Sequence, residues 1–420
     1  DSAQGQSERV LLGIENGFKT MPMTVNAARL PIVNPAAKID AGQFRSTALT
    51  GVPRARPIVY GKNKLGGSLE VECSVESLMV PIYGNMGGLD EFGVSGNYTH
   101  RYNNAAMKPL FMEQQFTDIG KMIMFNGILL SKATFKYEME GLMTAVFDVM
   151  GAKQSAPYGS TEVTGTVRDD TGEPPFDYLT GSIKMGGVLV GYFKTLSLVL
   201  DRGVELGGAI DQSRDMATFA SKVPLVSGSI EAYFIDEILL DAAVNSTETS
   251  LEMVLSDSIT LGWGKRVAMP TVKLRPTTPV TQGQTFVMVN CDFDAYARGS
   301  ASNYAALAGT KGFTSVTIVT SSNDTLNVVF SAGGTQTFTF TAGAKTPTAI
   351  NTALSAITNG TTFVENGRVM FKEAVSGSAG HVSFSGNAAS TLGLPAGPIA
   401  GLDAVDVVVE LYNGVAAVAP

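Results

Sequence analysis

Alternation of apolar and polar residues is the leading pattern of this chain. Gly67-Ser-Leu-Glu-Val-Glu-Cys73 changes character at every step, as a strand does with one face buried and one wet. Val75 to Val80 then begins a short helix. The succession returns at Gly228-Ser-Ile-Glu-Ala-Tyr-Phe-Ile-Asp-Glu-Ile-Leu239, which aligns without gaps on Gly67 to Leu78 with five of twelve positions identical. Ile235 to Leu240 is the matching helix start. Each copy ends in a pair of strands: Thr134 to Gly141 with Thr144 to Met150, and Thr271 to Arg275 with Thr285 to Phe293. The repeated order predicts a duplicated unit.

Residues 151–176 lose periodicity and gather Gly, Ser, Thr, Pro and the cluster Arg168-Asp169-Asp170, the composition of a linker or surface loop. From Asn303 to Gly397 the chain turns to Thr, Ser, Ala and Gly. Strands are predicted there at Ser315–Thr320, Thr325–Phe330, Thr335–Thr341, Arg368–Glu373 and Val382–Ser385. Thr346-Pro347, with apolar positions three to four apart behind it, predicts a helix to Ile357 with Thr as cap and Pro in the first turn. One further strand, Ala404–Tyr412, alternates only in part, as a strand buried on both faces does. It resumes where Asp292–Ala297 ended the second copy, so the small unit is predicted to be an insertion.

Composition agrees with a strand-rich chain. Forty-six glycines, abundant Thr, Ser and Val, 44% apolar and only 16% charged residues favour many turns, little helix and surfaces suited to permanent contacts with copies of itself. The net charge of −8 argues against gripping nucleic acid through its phosphates, which needs Lys and Arg. Within 303–397, Lys311, Lys345, Arg368 and Lys372 stand against Asp324, Glu365 and Glu373, a net +1 that leaves −9 on the rest. The two cysteines, Cys73 and Cys291, match no metal or redox spacing and read as small buried hydrophobes of a reducing compartment. No apolar run reaches the ~18 residues of a membrane span, and Asp1 to Val10 is polar where a signal peptide is apolar, so cytoplasmic synthesis is expected.

Chemistry has little to stand on. Only His100 and His381 could serve a nucleophilic set or a zinc site, and neither has a second His or Cys nearby; His100 is expected in a polar strand or loop, His381 in a Gly-Ser turn. Gly262-Trp-Gly-Lys-Arg lacks the spacing and the hydroxyl of a phosphate cradle. Glu70, Glu72 and Glu76, echoed by Asp236 and Glu237, could form carboxylate pairs for glycoside chemistry, but alternation places Glu70 and Glu72 on a wet strand face where charge keeps the surface soluble. No catalytic, cofactor or metal residue is predicted.

Several segments in order resemble one family. Arg9-Val-Leu-Leu-Gly-Ile-Glu15-Asn-Gly17-Phe-Lys-Thr20-Met-Pro22, Gly66-Gly-Ser-Leu-Glu-Val-Glu72, Tyr98-Thr-His-Arg-Tyr102 and Asn126-Gly-Ile-Leu-Leu-Ser-Lys-Ala-Thr-Phe-Lys-Tyr137 are similar to the tail tube proteins of long-tailed bacteriophages, although Phe18-Lys19 separates Gly17 from Thr20. The resemblance covers roughly residues 9 to 300 and the last strand. Residues 303–397 resemble instead small decoration domains of tail and flagellar surface proteins, in the helix before Gly367-Arg-Val-Met-Phe-Lys372 and in Thr391-Leu-Gly-Leu394.

The resemblance implies a mainly β fold: two tandem tube lobes of sandwich or barrel type with short helices, and a small inserted α+β decoration domain. The expected division is lobe 1 at 1–160, a linker at 161–176, lobe 2 at 177–302 completed by 398–420, and the decoration domain at 303–397. It implies a non-enzymatic virion protein of a siphophage tail, made in the host bacterial cytoplasm, whose inner sheets close into one barrel around the DNA. Two lobes per chain predict homotrimeric rings stacked head to tail. Implied partners are further copies of the chain, tail tip and tail terminator proteins, a tape measure protein and transiting double-stranded DNA in the lumen, and a host cell surface met by the outer domain. The alternatives are a carbohydrate-binding virion adhesin, for which an exposed aromatic face would be needed, and a glycoside hydrolase. The spacing of Phe313, Phe330, Phe338, Phe340, Phe363, Phe371 and Phe384 suits core packing instead.

Overall fold

The computed structural model describes residues 7–35, 38–45, 58–138, 141–169, 174–176, 181–190, 193–211, 213–233, 238–256, 262–275, 277–281, 287–299 and 303–413. The fold is mainly β, with four helices among the described residues.

The first half contains β1 (Glu8–Ile14), β2 (Ala27–Leu30), β3 (Ile32–Pro35), β4 (Lys38–Arg45) and β5 (Ile58–Glu72), then helix α1 (Val75–Met86). A hairpin follows, β6 (Gly87–Val94) and β7 (Asn97–Asn104), then β8 (Leu110–Phe116), β9 (Lys121–Glu138), β10 (Thr144–Gly151), β11 (Lys153–Gln154) and β12 (Val167–Arg168). The second half runs β13 (Gly181–Met185), β14 (Val188–Leu189), β15 (Phe193–Asp201), β16 (Glu205–Gly207), β17 (Thr218–Ala220), β18 (Leu225–Tyr233) and helix α2 (Ile238–Val244). It continues as β19 (Glu248–Ser256), β20 (Gly264–Leu274), β21 (Val280–Thr281) and β22 (Val287–Ala295). The small unit holds β23 (Ala305–Gly309), β24 (Val316–Ile318), β25 (Thr325–Phe330), β26 (Gln336–Thr339), β27 (Gly343–Lys345) and α3 (Pro347–Ala353). After these come β28 (Gly360–Glu365), β29 (Arg368–Ser376), β30 (His381–Ser385), α4 (Asn387–Thr391) and β31 (Ile399–Ala400), before the last strand β32 (Val408–Asn413).

One order of pairing occurs in both halves, antiparallel throughout. In the first, β2 pairs β1, β1 pairs β8, β8 pairs β9, β9 pairs β10, β10 pairs β5 and β5 pairs β3. In the second, β14 pairs β13, β13 pairs β19, β19 pairs β20, β20 pairs β22, β22 pairs β18 and β18 pairs β15. The strands holding Gly67 and Gly228, aligned by sequence, thus occupy the same place. Beside β9 lies β11, and beside β20 lies β32, each next in its series. The halves join where β9 pairs β15, so β3-β5-β10-β9-β15-β18-β22-β20 is one sheet.

This sheet buries one face only. Leu69, Val71, Phe147, Phe135, Leu198, Ile230, Cys291 and Phe293 face a common core shared with Val267, Met269, Val409 and Leu411 of a second sheet, which runs β13-β19-β20-β32-β7-β6. Strands β9 and β20 cross from one sheet to the other. Helix α1 is buried nearly all round, as its apolar residues on every side require, and it starts at a reciprocal cap: Ser77 N–H donates to Ser74 Oγ (3.1 Å), and Ser74 N–H to Ser77 Oγ (2.8 Å). It stops at Gly87, whose φ of 82° favours glycine.

The small unit has its own apolar cluster, including Leu326, Val328, Phe330, Phe371 and Ile350. Its predicted strands are present, and its helix, capped by Thr346 Oγ1, starts where expected but ends at Ala353, four residues short of Ile357. Pairing of β31 with β30 and of Tyr304 with Leu402 carries the unit's contacts a few residues past 397. The last strand begins at Val408, four residues later than predicted, and its residues are all buried. Part of the predicted linker is a structured strap: β12 pairs β2 in parallel, and Val163 and Phe176 are buried. Its short alternation is invisible as a pattern because it joins an existing sheet for only two residues. Ile235, Asp236, Glu237 and Thr285 lie outside the described residues.

Candidate assembly surfaces

The open face of the continuous sheet is mainly polar, with Val146, Val199 and Leu225 as its apolar members. Registers place Glu72, Thr144, Lys136, Ser197, Ser229 and Asp292 in one row, and Glu70, Val146, Thr134, Val199, Ser227, Asp294 and Lys273 in the next. A third row is Ser68, Asp148, Lys132, Asp201 and Leu225, and a fourth Glu138, Thr195, Glu231 and Asn290. Eight carboxylates and three lysines stand in these rows, so the wall is acidic, with hydroxyls between the charges. Lys194, 3.4 Å from Glu231, and Arg275, 2.9 Å from Asp294, add cations at one side. Exposed pairs of this kind contribute only ~0 to 1 kcal/mol each, so the wall is held by the strands and the apolar face beneath.

The opposite surface of the body receives the small unit. On β32, Val409 and Leu411 point into the core, which directs Glu410 and Tyr412 outward beneath the unit; on β20, Lys265 and Val267 point inward and Arg266 outward. Arg266 pairs with Glu252 (2.5 Å) and with Glu365 of the unit. Arg368 lies 4.3 Å over the Tyr412 ring and donates to Thr310 O (2.7 Å). From the β6-β7 hairpin, Arg101 donates to Ala400 O (2.7 Å) and Asn97 to Gly393 O (2.6 Å), while Phe92 packs against the unit's core. Burial raises the Glu410 carboxyl, against the pull of Arg266, and lowers Arg368. These directional contacts, charged at Arg101, Arg266 and Arg368, favour one orientation of the unit.

Two family-like segments far apart in sequence meet at Glu15. Its buried carboxylate accepts from Lys19 N (2.8 Å), Gly127 N (2.9 Å) and Asn126 Nδ2 (3.3 Å), tying the β1-β2 connection to the bend of β9. Burial raises its carboxyl and these donors oppose the rise. Gly127 has a φ of 64°, and a Cβ there would stand 3.0 Å from Ala152, Lys19 and Phe18. Glu113, fully buried, holds the strap by accepting from Tyr158 Oη (2.8 Å), Thr161 Oγ1 (2.7 Å) and Glu162 N (2.9 Å).

The residues singled out for chemistry are scattered. His100 lies in a strand, one of the two places expected for it, but it is fully buried there in β7, with Nδ1 3.0 Å from Glu91 and Nε2 3.0 Å from Asn413 Oδ1. The reason is tertiary, since β32 covers β7. His381 opens β30. Glu70 and Glu72 stand on the open sheet face, and Glu231 lies four strand spacings across from Glu70, roughly 19 Å, and four residues further along the strands. Cys73 and Cys291 are free and buried, and burial pushes their thiols up to about 12 and about 11. Five of the small unit's phenylalanines are buried and Phe338 and Phe363 are half-buried, so they form core and not a binding face. Among the described residues no group of three or more His, Cys, Asp or Glu is placed to hold a metal, and no helix is long and apolar enough to cross a membrane. Burial of Lys265 and Arg266 is not legible in the local pattern; a Lys-Arg pair in a strand is the signal that could have raised the question.

A wide sheet with an acidic polar face and an apolar back is an architecture suited to building assemblies. The sequence model of a phage tail tube protein family matches residues 5–295, more than half of the chain and ending with β22. The chain belongs to the phage tail tube protein family, and is a structural component of the virion tail. A comparison with curated proteins found no match.

Proposed function

We propose that the chain is a duplicated tube subunit that forms trimeric rings, stacked head to tail into the hollow tube of a siphophage tail. The observation that carries this is the eight-strand sheet in which one order of pairing occurs twice, its large buried apolar residues on one face and a mainly polar, acidic wall on the other. That order supports the division into lobe 1, lobe 2 and an insertion. The small unit lies between β22 and β32, where the first half passes directly from β10 to β11.

Strand number favours three chains. With ~4.8 Å between strands and a tilt of ~40°, sixteen strands close at a backbone radius of roughly 16 Å and twenty-four at roughly 24 Å. After about 6 Å of side chain on each wall, two chains leave a bore no wider than a DNA duplex, and three leave ample room. The open face is then the lumen wall. Its carboxylates repel phosphate within the ~8 Å screening length of physiological salt, so DNA slides without being held. Because the small unit sits across the core from that face, it points outward, toward a host surface. Tape measure protein in the bore and tip and terminator proteins at the ends complete the partners.

Negative-stain electron microscopy of the purified protein, alone and with a tail-tip nucleator, tests this reading. Hollow tubes with three outer knobs per ring in end view are expected. Persistent monomers under both conditions would overturn it, and six knobs per ring would overturn the trimer.

A further inference from the structure

The chain carries two hairpin arms at equivalent places. Arm 1 is β4 with the start of β5, arm 2 is β16 with β17; the alignment of Gly67 on Gly228 puts Val59 level with Ala220, and the pair Phe44-Val59 corresponds to Glu205-Ala220. Arm 2 leans on the base of arm 1. Lys62 Nζ meets Asp211 Oδ1 at 2.5 Å and Asp215 O at 3.2 Å, Asn63 N–H donates to Arg214 O at 2.7 Å, and the Arg214 guanidinium lies 5.8 Å from the Tyr60 ring. Each lobe in a ring of equivalent lobes must receive the arm of the lobe that follows it. For lobe 1 that arm is on its own chain. For lobe 2 it is arm 1 of another copy.

The receiving site on lobe 2 is chemically different. Lys62, Asn63 and Lys64 align with Val223, Pro224 and Leu225: both lysines become apolar, and the N–H that Asn63 donates is absent from proline. Val223 is 79% and Leu225 65% exposed. Arm 1 differs from arm 2 in the same sense. Arm 2 brings Asp211 and Asp215 to its lysine, whereas arm 1 displays Phe44, 65% exposed, and Val59, 64% exposed. Unmatched apolar groups of this size on two separate surfaces call for a partner.

We propose that arm 1 of one protomer lies on the Val223-Pro224-Leu225 strap of the next protomer in the same ring. This rests on the ring reading above. The polar contact keeps each chain's own arm on its own lobe 1, the apolar contact joins chains, and exchange of the two arms would bury Asp211 against Val223 or leave Lys62 facing Phe44. Lobes are thereby kept in alternating order around the ring.

The test uses the full chain with Phe44→Cys and Val223→Cys together, treated with a short bis-maleimide. The native thiols are buried and raised, so they stay silent. Covalent bands that stop at the trimer are expected, with neither single variant giving them. Val223→Asp is exposed in the protomer and should leave its circular dichroism unchanged while cutting the assembled fraction by about tenfold or more. A ladder running past the trimer would mean that the arm reaches the adjacent ring, and unimpaired assembly of Val223→Asp would mean that it docks elsewhere; either overturns this proposal and leaves rings intact. Failure of the unaltered protein to form rings would sink the ring reading and this contact with it.

Discussion

In the first half one residue, Ala152, separates β10 from β11; in the second, residues 296–407 lie between the corresponding strands β22 and β32. The first half has its own addition, the β6-β7 hairpin between α1 and β8, whereas α2 is followed by β19 after three residues. These two additions meet. Strand β7 pairs β32, and Arg101 and Asn97 hold the small unit. What differs between the halves is therefore one device: an extra unit on one side and the dock that orients it on the other. What they share is the sheet with its acidic face.

The sharpest way to break the dock is Arg266→Ala. It strands Glu252 and Glu365 without their cation, and removing one partner of a buried pair costs ~3 to 5 kcal/mol. Chemical denaturation should report that loss, and limited proteolysis should cut the small unit first. A change below 1 kcal/mol would show that the unit is held by its connections alone.

Lys265 tests the other side of the same strand. Its ammonium sits 3.8 Å from the Phe135 ring centroid and 3.2 Å from Tyr137 Oη, and burial lowers it from 10.5 to about 7. The unfolded chain therefore binds the extra proton between pH 7 and 10.5, so stability rises with pH across that window; below pH 7 both states are charged and the cost is constant. Lys265→Met should flatten this rise and add a few kcal/mol near pH 6, as denaturation at several pH values would reveal. An unchanged pH profile would contradict it.

Glu15→Ala sharpens the comparison from the first half, where the long β1-β2 connection needs an anchor that the two-residue turn Gly186-Gly187 does not. Leaving Lys19 N and Gly127 N without their acceptor costs about 2 to 3 kcal/mol, measurable by thermal unfolding, and Glu15→Gln should recover part of it.

The smallest effect is expected from removing the small unit. Ala295 and Val408 pair with Val272 and Ala268 of the same strand, so their ends are roughly 13 Å apart and a linker of about five residues spans them. The exposed dock is charged and tolerates water. Strand content and tube formation should survive, with knobs missing in micrographs; loss of tubes would place the unit inside the assembly contacts.

Much of the fold was legible because alternation is local. The Gly67 and Gly228 strands, α1 and most of the small unit's elements follow from period and caps within a few residues. The strap around β12 was not, since its order comes from Glu113 on another strand. His100 looked wet because Tyr98-Thr-His-Arg-Tyr102 is polar by itself, and only the arrival of β32 buries it.

By itself the sequence determined that this protein is strand-rich, holds a segment at Gly67 that aligns with one at Gly228 and carries its acidity outside residues 303–397, because period, similarity and charge are properties of neighbours along the chain. Only the tertiary structure decided that those two segments share one sheet, that the carboxylates gather on its open face, and that Lys265 is sunk in the core while Arg266 locks the small unit. Those outcomes depend on which strand edges meet across more than a hundred residues, and pairing at such distance is selected by the common core and not by any local pattern.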